Sequence, residues 1–187
     1  MQKKQKQKKM KRIYILVTIM VLGLPSCVKK EEVKDETLKV NLKTFKVEIE
    51  GVFKKDDELI LFWKDKSISF FDDNHTIYQG IKGSEAPQKV VFEFQEGDIP
   101  NDIRLDISSK KEQNEIILNY VKLEQESRSF MILKDKFNEF FIPNEFMSLD
   151  AKSGLITTKE INGGYDPIFF TTPKIFPQME AVLMTRF

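Results

Sequence analysis

The stretch Val90-Val91-Phe92-Glu93-Phe94-Gln95-Glu96-Gly97-Asp98-Ile99-Pro100-Asn101-Asp102-Ile103-Arg104-Leu105-Asp106-Ile107 decides the fold. Val90, Phe92 and Phe94 share one face at the period-2 spacing of a half-buried strand. Glu96 to Asp102 is then a dense cluster of turn formers. Ile103, Leu105 and Ile107 resume the alternation, with Arg104 and Asp106 on the opposite face. Short alternating strands separated by turn signals of this kind point to an antiparallel sandwich or barrel.

The same pattern extends in both directions. Upstream, Phe45 to Glu50 alternates apolar and charged residues, and Leu59 to Trp63 is a five-residue apolar run suited to a central strand. Ser67 to Phe71 and Thr76 to Ile81 are further strand candidates, separated by the turn Asp72 to His75. Downstream, Glu115 to Glu124 reads as a long strand with Ile117, Val121 and Leu123 on one side, and Arg128 to Leu133 as another. Lys134 to Phe141 is the best helix candidate, ended by Pro143. Leu155 to Ile161 reads as a strand, Gly163-Gly164 as a hairpin turn, and Met179 to Met184 as a short helix. Many short strands between turn signals predict an antiparallel β-sandwich, jelly-roll-like, with one or two short helices toward the C-terminus.

The N-terminus has a different character. Seven of the first twelve residues are basic and none is acidic. Ile13 to Leu24 is then apolar apart from Thr18, the layout of a secretory signal. Twelve helical residues span about 18 Å, short of the roughly 30 Å hydrocarbon core of a bilayer. Leu24-Pro25-Ser26-Cys27 follows, and Cys27 is the single cysteine of the chain. These four residues resemble the lipobox of bacterial lipoproteins. The resemblance implies cleavage before Cys27, a diacylglyceryl group on its thiol and acylation of the new amine. Several buried acyl chains anchor stably where one is marginal. Val28, rather than Asp, follows the cysteine, which by the same resemblance points to the outer membrane, with the domain facing the periplasm or the surface.

The expected organisation is a signal peptide over residues 1–26, a lipidated tether over 27–42 and one sandwich domain over 43–187. The leader holds seven of the 30 Lys and Arg and none of the 29 Asp and Glu, so the mature part carries a net charge of about −6. That balance argues against nucleic-acid binding, which needs clustered positive charge. All sixteen Phe lie in the mature part. With Cys27 acylated no thiol is left to pair, so packing and hydrogen bonds must carry stability.

Chemistry-bearing constellations are sparse. His75 is the only histidine and sits in a turn. One His and one acylated Cys make no zinc set, and there is no Gly-rich phosphate loop. The chain therefore reads as non-enzymatic, with no cofactor beyond the lipid. Asp72, Asp73 and Asn74 are hard oxygen donors and the one calcium candidate, without EF-hand spacing. Asp56-Asp57-Glu58 and Asp72-Asp73 are the acidic clusters a glycosidase would draw on.

Aromatic residues are the better binding candidates. Trp63 ends an apolar strand just before Lys64-Asp65-Lys66, where an indole face at the rim can stack on the C–H groups of a sugar ring; core packing is the competing reading. Tyr78 and Tyr165 are secondary candidates, and Phe169-Phe170 reads as core. The succession Val90 to Phe94, Ile103 to Ile107 and Ile116 to Leu123 resembles the later strands of galactose-binding-like β-sandwiches, a group with many carbohydrate-binding modules. The resemblance implies a non-catalytic glycan-binding domain and assigns no binding residues, because these lie on variable loops in that fold. The alternative is an envelope scaffold acting through protein contacts. A carboxylate-dependent glycoside hydrolase is the third reading.

Overall fold

A computed structural model describes residues 44–183. The leader, Cys27 and the tether lie outside the described residues.

Eleven strands form two antiparallel sheets. The first sheet has the order β4 (Gln88–Glu93), β1 (Lys46–Phe53), β6 (Glu115–Gln125), β10 (Leu155–Thr158), β9 (Met147–Asp150), with β7 (Arg128–Leu133) also paired to β6. The second has the order β3 (Thr76–Ile81), β2 (Asp57–Lys64), β5 (Asp102–Asp106), β11 (Ile168–Thr171), β8 (Phe141–Pro143). The antiparallel sandwich read from the alternation is the one that forms. Val47 and Ile49 of β1, Val90 and Phe92 of β4, Leu59 and Leu61 of β2, and Ile103 and Leu105 of β5 all enter one core. Each fully buried side chain of this size contributes about 1.5–3 kcal/mol relative to exposure.

Two short helices lie toward the C-terminus. A 3-10 turn (Lys134–Lys136) leads into α1 (Phe137–Phe140), and α2 spans Ile175–Leu183. In α2, Ile175, Met179 and Val182 are buried at the i, i+4, i+7 spacing of one helical face. Pro177 falls in its first turn, where a missing N–H costs nothing. Arg128 closes the other end, its Nε donating to the Val182 carbonyl at 2.7 Å.

Four local expectations are corrected. Ser67 to Phe71 is not a strand: Asp65 Oδ1 accepts from both the backbone N–H and the hydroxyl of Ser67 at 2.7 Å, turning the chain instead. The helix expected over Lys134 to Phe141 stops at Phe140, because Phe141–Pro143 pairs with β11. The strand from Leu155 ends at Thr158 rather than Ile161. Ile117 faces outward, while Ile116, Leu118, Val121 and Leu123 are buried. The pairing jumps from Glu50↔Tyr120 to Gly51↔Leu118, leaving Asn119 as the extra residue of a β-bulge. One extra residue reverses every side chain beyond it.

Alternation also divides Phe169 from Phe170. Phe169 is fully buried, whereas Phe170 is 42% exposed on the outer face beside Ile142. Arg104 is outward as its strand position demands. Its guanidinium lies 3.7 Å from the Phe62 ring centroid and grips Asp106 with two bonds of 2.9 and 2.8 Å. The turn at Gly163-Gly164 closes with reciprocal bonds between Ile161 and Gly164 at 2.9 Å. No helix among the described residues is long and apolar enough to cross a membrane.

Candidate functional site

β3 and β4 are edge strands of different sheets, and they lie against each other at one side of the sandwich. Between them opens a polar cavity of about 470 Å³. Its wall is made by Trp63 of β2, Asn74 and His75 of the preceding turn, Thr76 to Tyr78 of β3, Glu93 of β4, and Gln95 and Asp98 of the next turn.

Local chemistry places each of these groups. Asp72 Oδ1 accepts from the Asn74 backbone N–H at 2.9 Å and sits 2.8 Å from His75 Nδ1. The His75 carbonyl in turn accepts from the Trp63 N–H at 2.9 Å. The hydrogen bond with His75 holds the Asp72 carboxyl below its ordinary range, so it stays ionised. Across the cavity, Asp98 Oδ2 accepts from the Gln95 N–H at 2.9 Å, and the Asp98 N–H donates back to the Gln95 carbonyl at 3.2 Å. Gly97, between them, has φ 99°, which a residue without Cβ adopts freely. Glu93 Oε1 accepts from the Thr44 hydroxyl at 2.9 Å and lies 3.4 Å from Lys46 Nζ. The Thr44 bond is the main reason its carboxyl, too, is held low.

Trp63 is half-buried. It packs edge-on to His75, with ring centroids 4.9 Å apart and planes at 90°, and tilted against Phe94 at 5.7 Å. It thus packs against the core and walls the cavity at once. Tyr78 contributes to the same wall but is 51% exposed, and alternation with Ile77 turns its ring to the outer face beside Ile60. The side-chain amides of Asn74 and Gln95 make no hydrogen bond to other described residues.

Tyr165 lies elsewhere. Its hydroxyl lies 3.0 Å from both Ser108 Oγ and Thr158 Oγ1, in hydrogen-bond contact with each. Ser108 Oγ donates to Asp57 Oδ2 at 2.5 Å, and Ser109 contributes two more bonds to Oδ1 of the same carboxylate. Asp57 opens β2 and Trp63 nearly closes it, six residues or about 20 Å along the strand. Tyr165 and the buried Asp57 therefore form a structural clamp at the far end. Asp56, the neighbouring acid, is bound to Lys82 Nζ at 2.7 Å and the Gly83 N–H at 2.9 Å. Among the described residues no group of three or more His, Cys, Asp or Glu is placed to hold a metal ion. Of the calcium candidates, Asp72 is committed to the His75 turn, and the Asp73 carbonyl accepts from the Thr76 hydroxyl at 3.0 Å.

Glu93, Gln95 and Asp98 escaped the reading of the sequence as site residues. Glu93 showed only as the outward position between Phe92 and Phe94, and Asp98 only as a turn former. Neither pattern reveals that β4 will lie beside β3. Comparison with protein-family models, curated proteins and solved structures gives no match.

Proposed function

We propose that this protein is a membrane-anchored lipoprotein whose sandwich domain binds a glycan, without catalysis, in the cavity between β3 and β4. The observation that carries the reading is the lining. An indole wall stands beside amides, a hydroxyl and carboxylates. A sugar ring has apolar C–H faces and a polar equator, and it needs this mixture. The cavity is open, as a site for one or two residues of a longer chain must be.

The anchor rests on Leu24-Pro25-Ser26-Cys27 and its basic, apolar leader. Diacylglycerol on Cys27 would hold the domain at the envelope, with Val28 favouring the outer membrane. Cys27→Ser is expected to abolish fatty-acid labelling and membrane retention; an unchanged membrane fraction would refute the anchor.

The glycan reading is tested by array and calorimetric screening of the mature protein beside Gln95→Ala and Trp63→Ala. Binding lost in both, with unchanged melting of the Gln95 variant, supports the site. A second reading, a scaffold acting through protein contacts, is favoured by Phe170 and Ile142, register neighbours exposed on the outer face of the second sheet.

A further inference from the structure

We infer that the cavity between β3 and β4 selects glycans that carry no anionic group, and holds most tightly those that carry a protonated amine. This rests on the glycan reading above and concerns which sugars it admits.

The argument is electrostatic. The cavity is lined by two carboxylates, Glu93 and Asp98, and by no lysine or arginine. A third carboxylate, Asp72, stands just behind His75. Lys46 sits 3.4 Å from Glu93 and offsets that charge. The hydrogen bonds described for Asp98 come from the Gln95 backbone N–H, a neutral donor. The field at the mouth is therefore negative. A uronate, sialate or sulfate would meet like charge at Asp98, with no lysine or arginine in the lining to replace its water. A neutral sugar meets no such repulsion. An ammonium group gains from the carboxylates of the lining.

Nothing in the stacking wall alone would give this discrimination, since every pyranose has C–H faces. The carboxylates decide it. Asp98 is also the cleanest residue to alter, because an amide oxygen can keep the bond from the Gln95 N–H while the charge is removed.

The test is calorimetric titration of the mature protein, at about pH 6, where the weakly basic amine of a glucosamine oligomer is protonated and an ordinary carboxylate is ionised, with three oligosaccharides of equal length: a glucosamine, an N-acetylglucosamine and a galacturonate oligomer. The glucosamine oligomer is expected to bind about threefold or more tighter than its acetylated counterpart, the scale of one exposed charge pair. That margin should shrink with added salt, and the galacturonate oligomer should be weakest. Asp98→Asn should reduce the ratio of the glucosamine to the N-acetylglucosamine affinity towards one. Glu93→Gln provides a second charge removal should the first variant melt early. Galacturonate binding as tight as that of the neutral oligomer would overturn the charge selection and leave the glycan reading standing. Absence of binding by all three would overturn the glycan reading and this inference with it.

Discussion

The imidazole of His75 stands perpendicular to the indole of Trp63, with ring centroids 4.9 Å apart, and the His75 carbonyl accepts from the backbone N–H of Trp63. The turn that starts β3 is thereby fastened to the end of β2 beside the indole wall of the cavity. Asp72 fixes the ring from behind at 2.8 Å. The site is thus held by side chains of a turn rather than by strand pairing alone.

His75→Ala should loosen that wall without unfolding the domain. Trp63 is the only tryptophan of the chain, so intrinsic fluorescence reports on it alone. Acrylamide quenching is expected to rise, while the loss in stability stays near about 1 kcal/mol, the scale of one aromatic pair. Unchanged quenching would show that the indole is held by Phe94 and the core only.

Gly154→Ala should be among the most damaging single changes. The residue has φ +79°, and an added Cβ would lie 2.2 Å from the Leu118 carbonyl oxygen. That oxygen belongs to β6, while Gly154 accepts from the Leu118 N–H at 2.8 Å. The left-handed conformation alone costs about 1–2 kcal/mol for a residue with a Cβ, and the clash adds to it. Chemical denaturation should show a loss of about 2 kcal/mol or more.

The bulge at Asn119 makes a paired prediction. Ile117→Lys should change stability by no more than about 0.5 kcal/mol, since the side chain faces solvent. Leu118→Ala should cost about 2–5 kcal/mol, because that side chain is fully buried. Denaturation midpoints of the two variants check the register directly. Equal losses would place Ile117 in the core.

Arg104 and Asp106 predict a pH dependence. Burial pushes the Asp106 carboxyl above its ordinary range, and the two bonds from Arg104 only partly oppose this. Arg104→Met removes the opposition and sends the folded-state value higher still. A carboxyl raised above its unfolded value binds protons more readily when folded, so its ionisation destabilises as pH rises and protonation relieves this as pH falls. The variant should therefore lose most stability near neutrality, by about 2–3 kcal/mol for a pair that is mostly buried, and recover part of it on mild acidification. Melting temperatures of both proteins between neutral and acidic pH check this; a constant gap would rule out Asp106 as the source.

Much of the sandwich is legible from side-chain alternation, because a pleated strand with one buried face must place apolar residues at every second position. Phe45 to Glu50, Val90 to Phe94 and Ile103 to Ile107 each carry that signal within a few residues. The errors fall where a non-local contact outweighs a local preference. Phe141 to Pro143 leaves the helix pattern because β11 offers pairing. Ser67 to Phe71 is an exception, turned by a local contact in which Asp65 accepts from Ser67, two residues on. Ile117 turns outward because one extra residue on β6 meets β1, and no pattern within β6 shows the partner's register.

The candidate site divides in the same way. Trp63 stands out in the sequence because it ends an apolar run before a charged one, and Tyr78 because a phenolic group often stays near the surface. That Trp63 meets His75, Glu93, Gln95 and Asp98, and that Tyr165 instead clamps Ser108 at the far end of β2, was decided only in the tertiary structure. Strand composition is a local property, set by which face is buried. The cavity arises where edge strands of two different sheets lie side by side, a contact between residues 15 or more apart along the chain, and its chemistry belongs to that juxtaposition.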